Sequence, residues 1–200
     1  MKIPAIVLAG GKSSRMGRPK ALLPIGTPAT TFLDRVTATL LDAGIDDVVV
    51  VVGADASSIR AIARLPSGVR IVDNPDFESG QLTSLGAGLR AIDAASDAAL
   101  VTLIDVPLFS AATVRALLEA RRVRPAPIVR PVSRGRHGHP VLFDRSLFPH
   151  LLAGDPRVGA KPIVQAQASA ILDVPVDDEG AFIDIDTPED YERAIGSFPA

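Results

Sequence analysis

Residues 8–24 read LAGGKSSRMGRPKALLP, and the fold is read outward from them. An apolar run, Ile3–Leu8, empties into Gly10 and Gly11, and four cationic residues follow before apolar sequence resumes: Lys12, Arg15, Arg18 and Lys20. Of only four lysines in the chain, two stand in this one loop. A glycine pair lets the backbone turn sharply and approach a ligand closely. Consecutive exposed N–H groups in such a turn form a concavity suited to phosphate oxygens. A polyphosphate best explains the density of positive charge. Two phosphate motifs fail here. GKSS at 11–14 resembles the end of a Walker A loop, but the glycine required five places before Gly11 is replaced by Ile6. The three glycines of a dinucleotide fingerprint are likewise not at their spacing.

Strand-like runs follow at Val48–Val52, Val69–Val72, Ala98–Ile104, Ile128–Val132, Val141–Phe143 and Ile171–Val176. Unbroken β-branched runs such as VVVVV at 48–52 fit strands covered on both faces. Helical spacing appears in Gly80–Ala94, through Leu82, Leu85, Leu89 and Ile92, and in Ser110–Arg122, with Ser110 as its cap. Strand and helix alternate over the first 120 residues, which predicts an α/β, doubly wound, mostly parallel sheet. Ligands of such sheets bind beyond the carboxyl ends of the strands, so the loops after residues 8, 52, 72 and 104 matter most. From Val123 to His139 the rhythm breaks into proline- and arginine-rich sequence. The reading is one domain over 1–200, with a first half at 1–122 and a second lobe or flap plus C-terminal segment at 123–200.

Composition excludes several classes. With no cysteine, disulfides and thiolate metal sites are ruled out. A net charge of −2 and 4% aromatics argue against nucleic acid as a partner. The first apolar run is too short to span a membrane and lacks a signal-peptide layout, so a cytoplasmic protein is expected. Oligomeric state is not legible.

Leu8–Leu23 resembles the signature of nucleotidyltransferases that activate cofactors and sugars, and within them the molybdenum cofactor cytidylyl- and guanylyltransferase group. The resemblance implies a Rossmann-like sheet of the nucleotide-diphospho-sugar transferase type. It implies that Leu8, Ala9, Gly10, Gly11, Lys12 and Ser13 wrap the nucleotide while Arg15 and Lys20 hold phosphates. Lys12 stands at a variable position of the signature.

DNPDFESGQLTSLGAGL, residues 73–89, resembles the family's second motif and implies nucleotide contacts by Asn74, Gly80 and Ser84. Its Ser-Leu-x-x-Gly form is the one usual among cytidylyltransferases. Ordinary helix capping by Thr83 and Ser84 is the competing reading.

In VTLIDVPLFS, residues 101–110, a lone carboxylate ends the most apolar strand, a costly placement unless it is paired or bound to a cation. The family's aspartate here binds Mg²⁺, which implies Asp105 as a ligand, with a structural cap of the next helix as the alternative. Ile104 replaces the family's glycine and narrows the approach. In FIDIDTPEDYERAI, residues 182–195, Thr187, Pro188 and Asp190 form a helix start with a capping box. Asp184 and Asp186 flank Ile185 and share a face if extended. The resemblance implies Asp186 as the second Mg²⁺ ligand, with Asp184 the weaker candidate. SRGRHGHPVLFD, residues 133–144, resembles the family's Gly-His-Pro segment and offers Arg136, His137 and His139 to an acceptor; Lys161 is a looser candidate. A solvated basic hairpin explains the same residues.

The implied reaction is attack by an acceptor phosphate oxygen on the α-phosphorus of a nucleoside triphosphate, CTP or GTP, with pyrophosphate leaving. The acceptor is already ionised, so no general base is needed, in keeping with the lack of a Ser-His-Asp pattern. Molybdopterin is the first acceptor implied; a sugar phosphate or a small phosphorylated acid of a deazaflavin cofactor remains open. So does a nucleotide-binding sensor without chemistry.

Overall fold

The computed structural model describes residues 1–199, with residues 27 and 28 as backbone only. In chain order the strands are β1 (Ala5–Ala9), β2 (Pro24–Ile25), β3 (Thr27–Thr31), β4 (Val48–Val52), β5 (Val69–Asp73), β6 (Ala98–Leu103), β7 (Ile128–Ser133), β8 (Arg136–His137), β9 (Val141–Asp144) and β10 (Leu172–Pro175). The α-helices are α1 (Phe32–Asp42), α2 (Ala56–Ile62), α3 (Gln81–Ala91), α4 (Ala111–Val123), α5 (Phe148–Ala153), α6 (Lys161–Ala166) and α7 (Pro188–Ala194).

The main sheet has the order β10-β7-β9-β6-β1-β4-β5, with β8 beside β7. Strands β6, β1, β4 and β5 run parallel, as does the β10–β7 pair. Only β9 breaks the pattern among the seven strands of this path, lying antiparallel between β6 and β7. The mostly parallel sheet is the one the strand–helix alternation predicts. The antiparallel insertion of β9 and the small β2–β3 hairpin are additions that no local pattern announces.

The valine run behaves as a strand buried on both faces must. Val48, Val50 and Val52 join Ala5, Val7 and Ala9 in a core with Phe32, Val36 and Leu40 of α1 and Val114 and Leu117 of α4. Val49 and Val51 face the other way and pack with Ile6 and Leu8 against Leu82, Leu85 and Leu89 of α3. Helix α3 lies close on the sheet because Gly88 has no side chain: a Cβ there would stand 2.5 Å from Ile6 Cγ2. Ser110 caps α4 by accepting from the Thr113 N–H at 3.2 Å, as the sequence predicts. The carboxyl ends of β1, β4 and β6 converge on one edge, where the site lies.

Candidate active site

A cleft of about 320 Å³ opens at that edge. The loop after β1 forms one wall. Ser13 turns it, with φ +49°, and its carbonyl accepts from the Met16 and Gly17 N–H groups at 2.9 and 3.1 Å. Its hydroxyl accepts from the Lys20 backbone N–H at 3.1 Å, and Met16 is buried in the core beneath. These bonds fix where the Lys20 side chain begins. Gly10 packs closely on the neighbouring helix, where a Cβ would stand 2.8 Å from Ser84 Oγ. Gly11 is not crowded at all, leaving its backbone open to the cleft. Leu8, Ala9, Gly10, Gly11, Lys12, Ser13, Arg15 and Lys20 all line this cleft.

At the β6 end, Lys20 Nζ lies 3.1 Å from Asp105 Oδ2 and 2.5 Å from Asp186 Oδ1, with the lysine side chain only 11% exposed. Arg15 adds a contact at 3.0 Å to the other oxygen of Asp186. Asp186 is brought here by backbone: the Ile185 N–H donates to the Asp105 carbonyl at 2.8 Å. Ile185 is wholly buried between two aspartates. The predicted capping box then pins the segment. Asp190 accepts from the Asp186 and Thr187 N–H groups, and Thr187 accepts from the Asp190 N–H.

The hydrogen bond from Lys20, then the nearby charges of Lys20 and Arg15, hold the Asp186 carboxyl below its ordinary range. Burial, then the charge of Asp105, pushes Asp184 up.

Asp105 Oδ1 is buried and accepts no hydrogen bond. An unpaired buried carboxylate oxygen beside a second carboxylate suits a hard divalent cation. Among the described residues no three His, Cys, Asp or Glu side chains gather around one point. Such a cation would therefore take its remaining ligands from phosphate and water oxygens, as Mg²⁺ commonly does. Ile104 is 7% exposed: it lines the cleft but lies mainly in the core.

Other predicted residues are placed differently. Lys12 reaches across to Glu78 at 2.6 Å and holds that carboxyl below its usual range. Asn74 is buried behind Ser84, off the cleft wall. Both its amide N–H groups are taken, by Thr83 Oγ1 at 2.8 Å and Ser84 Oγ at 2.9 Å, and its carbonyl oxygen accepts from the Asp76 N–H. It orients Ser84, which does line the cleft. Gly80 also lies off the cleft: with φ +127° it backs onto the Pro156 carbonyl, where a Cβ would stand 2.2 Å away.

None of the four acceptor candidates lines the cleft. Arg136 pairs with Glu179 at 2.5 Å, and His137 lies 2.9 Å from Arg130 and 3.8 Å from Asp173. Carboxylates beside the sheet edge thus engage the basic hairpin. Lys161 starts α6, exposed. His139 is half-buried, its Nδ1 atom out of solvent and unpaired among the described residues. Burial pushes its pKa down, while the charges of Asp184 and Asp105 act the other way. Gly53, Asp55, Phe77 and Gln81 went unread in the sequence. Only Gly53, directly after the valine run, carried a local signal. It packs where a Cβ would meet the Gly10 carbonyl at 2.5 Å and Phe77 at 2.7 Å.

Comparison with known proteins follows the same lines. The "Nicotine blue oxidoreductase" of Paenarthrobacter nicotinovorans is 33% identical, covering 96% of each chain. The "Molybdenum cofactor guanylyltransferase" of Sinorhizobium fredii is 33% identical over 96% of this chain and 90% of its own. The "Molybdenum cofactor cytidylyltransferase" of Escherichia coli K12 is 28% identical over 96% and 95%. Among solved structures, Rv0371c of Mycobacterium tuberculosis superposes with a TM-score of 0.84 at 28% identity, covering 98% of both chains. A manganese complex of that protein gives 0.78 at 26%, again covering 98% of both. Residues 5–171 match the MobA-like NTP transferase domain. By that match and by these full-length relatives, the chain belongs to the MobA-like NTP transferase family and is a nucleotidyltransferase.

Proposed function

We propose that this nucleotidyltransferase moves a cytidylyl group from CTP to a phosphate of molybdopterin, or of the molybdenum cofactor built on it, in the cytoplasm and with Mg²⁺. The observation that carries this reading is Lys20 set between Asp105 and Asp186 at the edge of a glycine-walled cleft. A bond forms between an acceptor phosphate oxygen and the α-phosphorus, and the bond to the β-phosphate oxygen breaks, releasing pyrophosphate. The acceptor oxygen is ionised at neutral pH and needs no base. Catalysis is then positioning and charge neutralisation. Lys20 stabilises charge at the α-phosphate, and the exposed Arg15 meets the leaving β- and γ-phosphates. The residues that would hold the metal are Asp105 and Asp186, and its chemistry there is neutralisation of phosphate charge.

Residues 1–122 supply the nucleotide-binding half, and 123–200 supply the acceptor side and Asp186. Arg136, His137 and Lys161 remain candidates for an acceptor's outer parts, beyond the cleft. The choice of CTP is supported by the Ser84-Leu85-x-x-Gly88 start of α3 and by the Escherichia coli relative. The Sinorhizobium fredii relative favours GTP as the second reading.

Pyrophosphate release measured with each of four nucleoside triphosphates, Mg²⁺ and molybdopterin tests the proposal. Release with CTP, abolished in Asp105→Asn while circular dichroism shows the fold retained, is the expected result. Preference for GTP moves the assignment to the second reading. Nucleotide binding without pyrophosphate from any pair leaves a sensor, and overturns it. Redox turnover without pyrophosphate, the kind of activity named in the Paenarthrobacter relative, overturns it too.

A further inference from the structure

Asp55 stands at the start of α2, three residues beyond β4, half-buried on the cleft wall. It occupies the cap position yet makes no capping bond, and among the described residues no donor reaches its carboxylate. Burial alone pushes its pKa up. The rest of the cleft gathers Lys12, Arg15 and Lys20 to attract an anion, so a bare carboxylate here opposes what its neighbours do. Partly desolvated, it needs hydrogen-bond donors from whatever enters.

The sheet order says which part of a nucleotide arrives there. Strand β1 lies between β4 and β6, so at about 4.8 Å per strand their carboxyl ends stand about 10 Å apart. Lys20, Asp105 and Asp186 gather at the β6 end. A nucleotide with its α-phosphate there, lying across the glycine loop of β1, brings its nucleoside to the β4 end. Two apolar side chains stand in the lining at that end, beside the polar Gln81 and Ser84. Ile59, one helical turn beyond Asp55, is 1% exposed, and Phe77 packs against Gly53. A base between such walls turns its polar edge to the carboxylate, which is an acceptor only.

We propose that Asp55 reads the base, its carboxylate accepting a hydrogen bond from the exocyclic amino group of cytosine and rejecting the carbonyl that uracil carries instead. This rests on the CTP reading above and adds the residue that selects the base.

The experiment titrates CTP and UTP into the wild-type protein and into Asp55→Asn by calorimetry with Mn²⁺, so no acceptor is needed. The wild type should bind CTP more tightly than UTP. In Asp55→Asn, whose amide can donate to uracil O4, the ratio of the two affinities should fall on the order of tenfold or more, the worth of one such hydrogen bond. Asp55→Ala should weaken CTP without strengthening UTP to the extent that asparagine does. Equal weakening of both nucleotides in the variants marks a ribose contact and overturns the assignment, as does a wild type that binds both alike. A binding ratio that shifts as expected while no pyrophosphate is released would instead overturn the transferase reading and leave Asp55 as the base reader.

Discussion

Replacing Lys20 by methionine keeps the length of the side chain and removes its ammonium from between Asp105 and Asp186. Two unit charges 4 Å apart interact by about 4 kcal/mol at an effective dielectric of 20 and about 1 kcal/mol in water. Asp105 and Asp186 are 24% and 33% exposed, so the pair lies between these limits. Exposed pairs are worth about 0.2–1 kcal/mol, and breaking a fully buried pair costs about 3–5 kcal/mol, which brackets a loss of about 2 kcal/mol here. For a chain of this size that lowers the melting temperature by about 4–8 °C.

Circular dichroism melts of Lys20→Met and wild type, run without metal, read the difference directly. Lys20 holds the Asp186 carboxyl below its ordinary 3.8, so the stabilisation is fully present above that value. It disappears as pH falls through the lower folded value, and the gap between the two proteins should close in acid. Mn²⁺ or Mg²⁺ should raise the melting temperature of the variant more than that of wild type, because a cation restores the charge the lysine supplied. A variant that melts with wild type at pH 7, or gains nothing more from metal, would refute this reading of the cluster.

Asp184→Asn should be stabilising in metal-free buffer at pH 7. Burial and Asp105 raise the Asp184 carboxyl above 3.8, so ionising it costs stability above that pH. The gain should shrink as pH falls towards 3.8, and a lower melting temperature at pH 7 would contradict it. Thr187→Ala removes half of a capping box and should cost about 1 kcal/mol, read as a melting shift, with a weaker apparent metal affinity because the Asp190 carboxylate that holds the Asp186 N–H loses the hydroxyl that positions it. Gly138→Ala would place a Cβ 2.2 Å from the Ala181 carbonyl and 2.7 Å from the Phe182 ring, and urea unfolding should show a loss of about 1–3 kcal/mol. Gly11→Ala, with nothing within 4 Å of its Cβ, should leave the melting temperature unchanged while weakening nucleotide binding.

Local pattern carried much of the architecture. The run Val48–Val52 could only be a strand covered on both faces, and the spacing of Leu82, Leu85 and Leu89 could only serve a helix against a sheet. Thr187, Pro188 and Asp190 read correctly as a helix start because a cap is chemistry within four residues. The glycine–lysine loop was legible for the same reason. Tertiary structure decided what depends on partners far along the chain. It set β9 antiparallel between β6 and β7, a choice of hydrogen-bond neighbours no strand records in itself. It turned the Asn74 amide inward to Thr83 and Ser84, took His139 Nδ1 out of solvent, and left Asp55 on the cleft wall without a partner among the described residues. It also gave Lys20 two carboxylates, 85 and 166 residues away, that only folding brings within an ion pair's reach. Sequence fixes period, turn and cap because these are short-range. Burial and pairing are set by the packed whole, which alone determines which polar atoms are satisfied and which are left for a ligand.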